Sequence, residues 1–260
     1  MTEFATSADG TTIGYDITGS GPAVIMVGSA NQFRAFDTGT AEVARRLAGN
    51  GFTVLTYDRR GRGESTDTLP YDVDREVEDI GALLAVAGGS AALFGSSSGA
   101  VLCLFAAAAL TGVTGVVLWE PPLDLESDGS DELAGLQERL AAGDREGTIA
   151  FFMRKMPPPW FEGVRHSPAW PTLLSIAHTL AYDAAVLERA ERGESLSTLF
   201  AAVAMPVIVL IGEETQPIFP PAAEAIVAAL PHATQRRIDA RNHGWEPEVM
   251  AQEIAQFLTR

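Results

Sequence analysis

The chain is poor in cysteine and in positive charge, and it has no long hydrophobic run. Its 260 residues include one Cys, and 18 Lys and Arg stand against 34 Asp and Glu, which gives a net charge of −16. One cysteine can form neither an internal disulfide nor a Cys-rich zinc module. The acidic excess repels phosphate backbones, so we expect no nucleic-acid partner. The longest apolar run, residues 101–110, is about half as long as a membrane-spanning helix, so we expect no membrane partner.

The composition is otherwise typical of a globular protein. Apolar residues make up 47% of the chain, which excludes general disorder. The first ten residues lack a basic region followed by an apolar core, so no secretory signal is predicted. We therefore expect a cytoplasmic location.

Short apolar runs alternate with longer segments of helical length and periodicity. The predicted strands are Ala23–Val27, Phe52–Asp58, Ala91–Gly95, Val113–Glu120, Pro206–Gly212 and Ala233–Asp239. The predicted helices between and after them are Arg34–Gly49, Asp72–Ala87, Ser98–Leu110, Pro221–Leu230 and Pro247–Leu258. Near-continuous apolar strands indicate a parallel sheet buried on both faces, and Glu3–Ile17 is predicted to form an antiparallel hairpin before it. The predicted fold class is α/β, with a mostly parallel, doubly wound sheet.

One connection interrupts this alternation. About 85 residues between Glu120 and Pro206 contain no convincing strand. The stretches predicted to be helical there are Leu133–Ala142, Arg145–Met153, Pro171–Ala181 and Ala184–Ala190, and the prolines at 157–159 separate two of them. We predict an inserted helical cap at 121–203 and a core domain formed by 1–120 and 204–260. Within the cap, Trp160 and Trp170 would line an apolar substrate pocket or, alternatively, form the core of the cap itself.

A serine-rich turn joins the predicted strand Ala91–Gly95 to the next helix. In Gly95-Ser96-Ser97-Ser98-Gly99, only Ser97 has a glycine two residues before and two residues after it. A sharp strand-turn-helix connection strains its central residue and needs minimal flanking side chains. It would raise the Ser97 hydroxyl above the sheet and direct the Ser98 N–H at a developing oxyanion. Ser97 is the candidate nucleophile; the alternative is a glycine-rich turn with unreactive serines.

A serine nucleophile needs a base, and the chain has four histidines. His166 and His178 lie in the predicted cap, and His232 lies in a turn before a strand. Only His243 follows the last predicted strand, at the carboxyl edge of the sheet where the Ser97 turn also lies. His243 is the predicted base, and a surface-loop histidine is the alternative.

These residues resemble the α/β-hydrolase superfamily. The shared features are the G-x-S-x-G motif, a late histidine, and the stretch Asp58-Arg59-Arg60-Gly61-Arg62-Gly63-Glu64-Ser65 after the second parallel strand. The resemblance covers essentially the whole chain. It implies an α/β-hydrolase fold with a helical cap and acyl transfer by a Ser-His-acid triad. The 58–65 stretch recurs in the family as a structural turn, so we assign it no catalytic role.

The chain departs from the family pattern after its first parallel strand. The family often has His-Gly there, whereas this chain has Val27-Gly28-Ser29-Ala30. By register, the N–H of Ala30 would be the second oxyanion donor beside Ser98, since a backbone donor does not depend on the side chain. Ser29, one position away, is expected in the substrate pocket.

The usual catalytic acid is also missing. Most relatives place an Asp three residues after the position of Gly212, where this chain has Thr215. Glu120 is the predicted acid, because a Glu that closes an apolar strand is costly to bury without a partner. The alternatives are Glu213 or Glu214, a Ser-His dyad, or a Glu120 that is solvated at the start of the cap. The Glu120 arrangement is also similar to the fungal zearalenone-degrading lactonases.

The function implied is that of a serine hydrolase acting on a small-molecule carboxylic ester or lactone. We expect no cofactor, no metal, and a monomer or homodimer. The alternative is a hydrolase-like fold used for ligand binding or non-hydrolytic chemistry, which the departures at 27–30 and at Thr215 motivate.

Overall fold

A computed structural model describes residues 2–259, so the outermost residues of the predicted core domain, 1 and 260, lie outside the described part of the chain. Its strands are β1 (Glu3–Thr6), β2 (Thr12–Gly19), β3 (Ala23–Val27), β4 (Thr53–Tyr57), β5 (Ala91–Ser96), β6 (Val113–Trp119), β7 (Val207–Glu214) and β8 (Ala233–Arg241). They form one sheet in the order β1-β2-β4-β3-β5-β6-β7-β8. The pairs β1/β2 and β2/β4 are antiparallel, and all other pairs are parallel.

Helices cover both faces of the sheet. They are α1 (Thr38–Gly49), α2 (Val73–Val86), α3 (Ser98–Ala109), α4 (Ser130–Ala141), α5 (Arg145–Met153), α6 (Pro158–Arg165), α7 (Trp170–Ile176), α8 (Leu180–Glu191), α9 (Leu196–Leu199), α10 (Phe219–Ala229) and α11 (Pro247–Leu258), with a 3₁₀ turn at Ala177–Thr179. Within residues 2–259, none of these helices is both long enough and apolar enough to cross a membrane.

Alternate strand residues fill two separate cores. Ile25 and Leu55 pack with α2 and α3 on one face, whereas Val24 and Val54 pack with α1 and α11 on the other. Because successive side chains of a strand point to opposite faces, a central strand covered on both sides, such as β5, buries every position, whereas the edge strand β8 is mostly exposed. This burial explains the near-continuous apolar runs in the sequence.

The predicted α/β-hydrolase fold is confirmed. Each of the six predicted parallel strands is present, with ends that differ by at most two residues, and the predicted hairpin is formed by β1 and β2. The helix expected from Arg34 begins at Thr38 instead, because the Asp37 side chain accepts a hydrogen bond from the Thr40 N–H and caps it there.

The segment between β6 and β7, residues 120–206, contains α4–α9 and no strand; we call it the helical insertion. Its apolar residues form a third cluster, which also packs on Ala30 and Phe33 of the β3–α1 loop. Two of its helices, α6 and α9, were not predicted from the sequence. The prolines at 157–159 were expected to separate helices, but Pro158 and Pro159 form the first turn of α6, where a missing N–H costs no hydrogen bond.

Candidate active site

Three of the predicted residues follow the ends of strands at one edge of the sheet. Ser97 comes directly after β5, Glu120 directly after β6, and His243 two residues after β8. Trp119 links all three positions: its carbonyl accepts a hydrogen bond from the Ser97 N–H (2.8 Å), its indole N–H donates to the His243 carbonyl (3.2 Å), and it precedes Glu120. The carboxyl edge of the sheet therefore brings these residues into one region.

Ser97 lies at a sharp turn between β5 and α3, with φ 54° and ψ −123°. The glycines two residues away are required by close packing. A Cβ at Gly95 would lie 2.5 Å from the Gly99 carbonyl oxygen, and a Cβ at Gly99 would lie 2.6 Å from the carbonyl oxygens of Val27 and Gly28. The turn therefore fits only with glycine at both positions, and it rests directly on the end of β3.

A buried carboxylate contacts the imidazole of His243. Glu120 is completely buried, and its Oε2 lies 2.5 Å from His243 Nδ1. Its other oxygen, Oε1, accepts hydrogen bonds from the Gly212 N–H at 2.9 Å and from the Thr215 hydroxyl. Both oxygens are therefore satisfied, and the alternative of a solvated Glu120 is wrong.

The hydrogen bonds to Glu120 favour its charged form. Burial opposes ionisation, but the bonds from His243, Thr215 and the Gly212 N–H outweigh it and hold the pKa of the Glu120 carboxyl below its usual value. An ionised carboxylate only accepts hydrogen bonds, so we assign the ring proton of His243 to Nδ1. Nε2 is then left as the basic nitrogen.

The His243 ring is held on its face as well as at Nδ1. The Phe219 ring stacks on it with centroids 4.6 Å apart and planes 7° apart. The Asn242 N–H donates to the Glu214 carbonyl (3.1 Å), which anchors the loop to the end of β7. About a quarter of the side chain (26%) is exposed, so one edge of the ring is open. Within residues 2–259, no hydrogen bond joins Ser97 to this ring.

Backbone strain is concentrated at this edge. Among the described residues, five that are not glycine have a positive φ: Asn31 (62°), Ser97 (54°), Glu120 (41°), Asn242 (54°) and His243 (64°). Side chains disfavour this region, so each such residue costs free energy that the surrounding contacts must offset. Such conformations cluster at functional sites, which makes this edge the candidate active site on backbone evidence alone.

The predicted oxyanion donors lie on adjoining loops. Ser98 is the first residue of α3, so its N–H has no acceptor within the helix. The Ser29 N–H donates to the Gln32 side-chain oxygen at 2.6 Å. Within residues 2–259, no acceptor binds the Ala30 N–H. Of the two neighbouring candidates in the described loop, Ser29 thus has an occupied N–H and Ala30 a free one.

Within residues 2–259, the side chains of the remaining predicted residues make no hydrogen bond, ion pair or ring contact with His243. Glu213 and Glu214 are exposed, and Glu214 Oε1 lies 3.9 Å from Arg241 Nη2. Trp160 and Trp170 are half-buried and pack against the apolar cluster of the helical insertion. That cluster also includes Ala30, so it covers one side of the predicted oxyanion loop.

Some residues that shape the site were not predicted. The sequence indicates Thr215 only as a missing acid, yet its hydroxyl donates to the buried Glu120 carboxylate. The sequence signal that could have revealed this role is the position of Thr215, three residues after Gly212, where the family pattern has the acid. Phe219 gave no signal, because its stacking on His243 depends on how α10 follows β7. In the described part of the chain, no three His, Cys, Asp or Glu side chains converge as a metal-binding group.

Comparison with known proteins agrees with this architecture. The sequence model of the alpha/beta hydrolase family matches residues 28–257. The chain belongs to the alpha/beta hydrolase family. The match includes the Ser97 turn, the helical insertion and the His243 loop.

Several proteins are similar to this alpha/beta hydrolase. The crystal structure of an alpha/beta hydrolase from Sphaerobacter thermophilus DSM 20745 is 36% identical, with a TM-score of 0.88 over 98% of this chain and 100% of that chain. Two further structures share the fold. An esterase from Exiguobacterium antarcticum is 20% identical, with a TM-score of 0.75 over 100% of both chains. The enol-lactonase from Burkholderia xenovorans LB400 is 19% identical, with a TM-score of 0.75 over 99% of this chain and 100% of that chain. The uncharacterized hydrolase YraK of Bacillus subtilis (strain 168) is 40% identical over 103 residues, and the match spans 36% of this chain and only 35% of that relative.

Proposed function

We propose that this alpha/beta hydrolase cleaves a carboxylic ester or lactone through an acyl-enzyme intermediate. In this proposal Ser97 is the nucleophile, His243 is the general base, and Glu120 orients and charges the imidazole. The N–H groups of Ser98 and Ala30 bind the oxyanion.

The observation that carries the proposal is the contact between Glu120 and His243. A carboxylate with no exposure to water is costly unless charged or polar donors satisfy it. Here the donor at Oε2 is an imidazole at 2.5 Å, on the loop that reaches the Ser97 end of the sheet. A buried carboxylate paired with a partly exposed histidine supports general base catalysis more directly than it supports a structural role.

The chemistry would proceed in two acyl transfers. His243 Nε2 takes the proton of the Ser97 hydroxyl as its oxygen attacks the carbonyl carbon. The imidazolium, stabilised by Glu120, then gives that proton to the leaving alkoxide, which departs as an alcohol or stays attached when the substrate is a lactone. Water repeats the sequence on the acyl-Ser97 ester, which releases the acid and restores the hydroxyl.

The helical insertion is proposed as the cap of this site, with 121–203 as its bounds. Its apolar cluster reaches Ala30, so an apolar acyl or lactone ring near Ser29, Trp160 and Trp170 would find matching surroundings. The net charge of −16 disfavours anionic substrates. The esterase and the enol-lactonase that share the fold support esters and lactones as the first substrates to test.

A fluorophosphonate probe and a p-nitrophenyl ester test the proposal together. We expect the wild type to hydrolyse the ester and to carry the probe on Ser97, located by peptide mass spectrometry, and Ser97→Ala to lose both. His243→Ala should also lose both, whereas His166→Ala, which alters an exposed histidine of the insertion, should keep them.

Two outcomes would contradict the proposal. Ester turnover that survives Ser97→Ala would assign the reaction to another residue. A folded wild type that neither turns over esters or lactones nor reacts with the probe would favour ligand binding or non-hydrolytic chemistry.

A further inference from the structure

The turn at 58–65 has buried contacts that the proposed reaction does not yet use. Two of its arginines, Arg59 and Arg62, meet a single carboxylate, that of Asp183 on α8. Arg59 Nη1 lies 2.6 Å from Asp183 Oδ1, and Arg62 Nη2 lies 2.5 Å from Oδ2. Asp183 Oδ1 also accepts a hydrogen bond from the Ser98 hydroxyl at 2.7 Å. Asp183 therefore joins the helical insertion to the residue that follows the nucleophile.

The same two arginines bind the other predicted oxyanion loop. Arg62 Nη1 donates to the Ser29 carbonyl at 2.5 Å, and Arg59 Nη1 donates to the Gly28 carbonyl at 3.2 Å. One buried cluster thus contacts both loops that carry the proposed donors.

The charges of this cluster balance. Arg59 also pairs with Glu76 at 2.5 Å, so two arginines face two carboxylates, and all four side chains are at most 2% exposed. Burial opposes ionisation of Asp183, but Arg62 and Arg59 outweigh it and hold the pKa of its carboxyl below the usual value. A charged Asp183 at this position is therefore consistent with its surroundings.

Planar peptide geometry turns these contacts into a constraint on the donors. The Ser29 carbonyl and the Ala30 N–H belong to one peptide unit and point in opposite directions. When Arg62 holds the carbonyl oxygen, the Ala30 N–H is directed away from Arg62 and cannot rotate freely. On the other loop, the bond from the Ser98 hydroxyl to Asp183 ties the first residue of α3 to the same cluster through its side chain.

We propose that Asp183 is a positioning residue that aligns the two oxyanion donors, directly through Ser98 and indirectly through Arg62 and Ser29. This inference rests on the proposed function. Because Asp183 belongs to the helical insertion, the donors would be aligned only when α8 is seated on the core. The 58–65 turn would then have a catalytic consequence without touching the substrate.

Two variants test the alignment, each with a matched control. Ser98→Ala removes the hydroxyl and keeps the backbone N–H; we expect kcat to fall about tenfold while KM changes less than about twofold. Asp183→Asn removes the shared charge and should lower kcat about a hundredfold with a similarly small change in KM.

The controls alter buried contacts of the same turn that do not reach either loop. Asp79→Asn breaks the buried pair with Arg60, and Ser65→Ala removes a hydroxyl that contacts Gly14 and Asp58. Both should lower the unfolding midpoint, yet keep the kcat of the folded protein within about twofold. A merely structural role for Asp183 would give the same kcat in all four variants.

The outcomes separate this inference from the proposed function. If the wild type hydrolyses esters but Ser98→Ala keeps full kcat, the alignment role is wrong and the serine hydrolase stands. Asp183→Asn leaves Arg62 without an ion-pair partner, and the variant can fail to fold. If it does, the kcat of Ser98→Ala alone decides whether the alignment role is right. If the folded wild type neither turns over esters nor labels at Ser97, the proposed function fails, and this inference fails with it.

Discussion

Glu120 Oε2 and His243 Nδ1 lie 2.5 Å apart, although the two residues are 123 positions apart in the chain. They meet because β6 and β8 flank β7 in a parallel sheet, so both chain segments leave the sheet at its carboxyl edge. The family pattern places the acid after β7. In the proposed triad the acid follows β6 instead, and the Thr215 hydroxyl after β7 donates to it.

The first prediction concerns the charge of Glu120. Glu120→Gln keeps the shape but can donate its amide hydrogen to Nδ1, which would move the ring proton to Nε2 and remove the base. We expect kcat for a p-nitrophenyl ester to fall about a thousandfold or more, as when the aspartate of a Ser-His-Asp triad is neutralised. Glu214→Gln is the control, since that carboxylate is exposed and contacts Arg241. Its kcat should stay within about twofold of the wild-type value. The reverse pattern would move the acid to β7.

The second prediction concerns the Thr215 hydroxyl. Thr215→Val leaves Glu120 Oε1 with only the Gly212 N–H, so we expect kcat to fall about tenfold and the free energy of unfolding to drop by about 1–2 kcal/mol. Thr215→Ser keeps the hydroxyl donor and should retain most of the kcat and most of the free energy of unfolding. Ester kinetics and urea unfolding measure the two effects. A Thr215→Val protein with unchanged kcat would show that one donor suffices.

A double substitution extends this test to the missing aspartate. Thr215→Asp would place a carboxylate at the register position that most relatives use. In the Glu120→Gln background we expect it to recover at least about tenfold of the lost kcat, since a charge would again face the His243 loop. No recovery would mean that the loop after β7 holds position 215 out of reach of His243.

The sequence predicts the sheet better than it predicts the contacts between distant segments. Runs such as Ala23–Val27 identify buried strands because a two-sided sheet requires apolar residues throughout. Glu120 was predicted as the acid because its position at a strand end is readable from local sequence. The contact of Asp183 with Ser98 was not predictable, because it joins residues 85 positions apart through a helix packing that no periodicity encodes. Helix α6 was missed because three prolines in a row resemble a break.

The third prediction concerns which N–H of the β3–α1 loop binds the oxyanion. The Ser29 N–H is bonded to the Gln32 side-chain oxygen. If Ala30 is the oxyanion donor, Gln32→Leu removes only this bond, which holds the turn together. We then expect the rate of fluorophosphonate labelling to fall about threefold to tenfold. If Ser29 were the donor, removing Gln32 would free it, and labelling would become faster. The direction of the change therefore assigns the donor.

The fourth prediction is a pH dependence of stability that comes from the helical insertion. Burial of Glu191, opposed by its bond from the Asp124 N–H (2.7 Å), raises the pKa of this carboxyl from 4.5 to about 7. Between these pH values the folded protein binds more protons than the unfolded chain, so the free energy of unfolding falls as pH rises. Above about pH 7 the protein carries an ionised, half-buried carboxylate.

Glu191→Gln should therefore act only on the alkaline side. The amide oxygen can still accept from the Asp124 N–H, and it carries no charge at any pH. We expect the unfolding midpoint of the variant to exceed that of the wild type by about 2–4 °C at pH 8 and to match it at pH 5. The shift at pH 8 is small because solvent screening reduces the effect of this half-exposed group on the free energy of unfolding to about 1 kcal/mol. Glu194→Gln, which alters an exposed carboxyl nearby, should leave the difference between the two pH values unchanged. A Glu191→Gln midpoint that follows the wild type at both pH values would show that Glu191 is solvated.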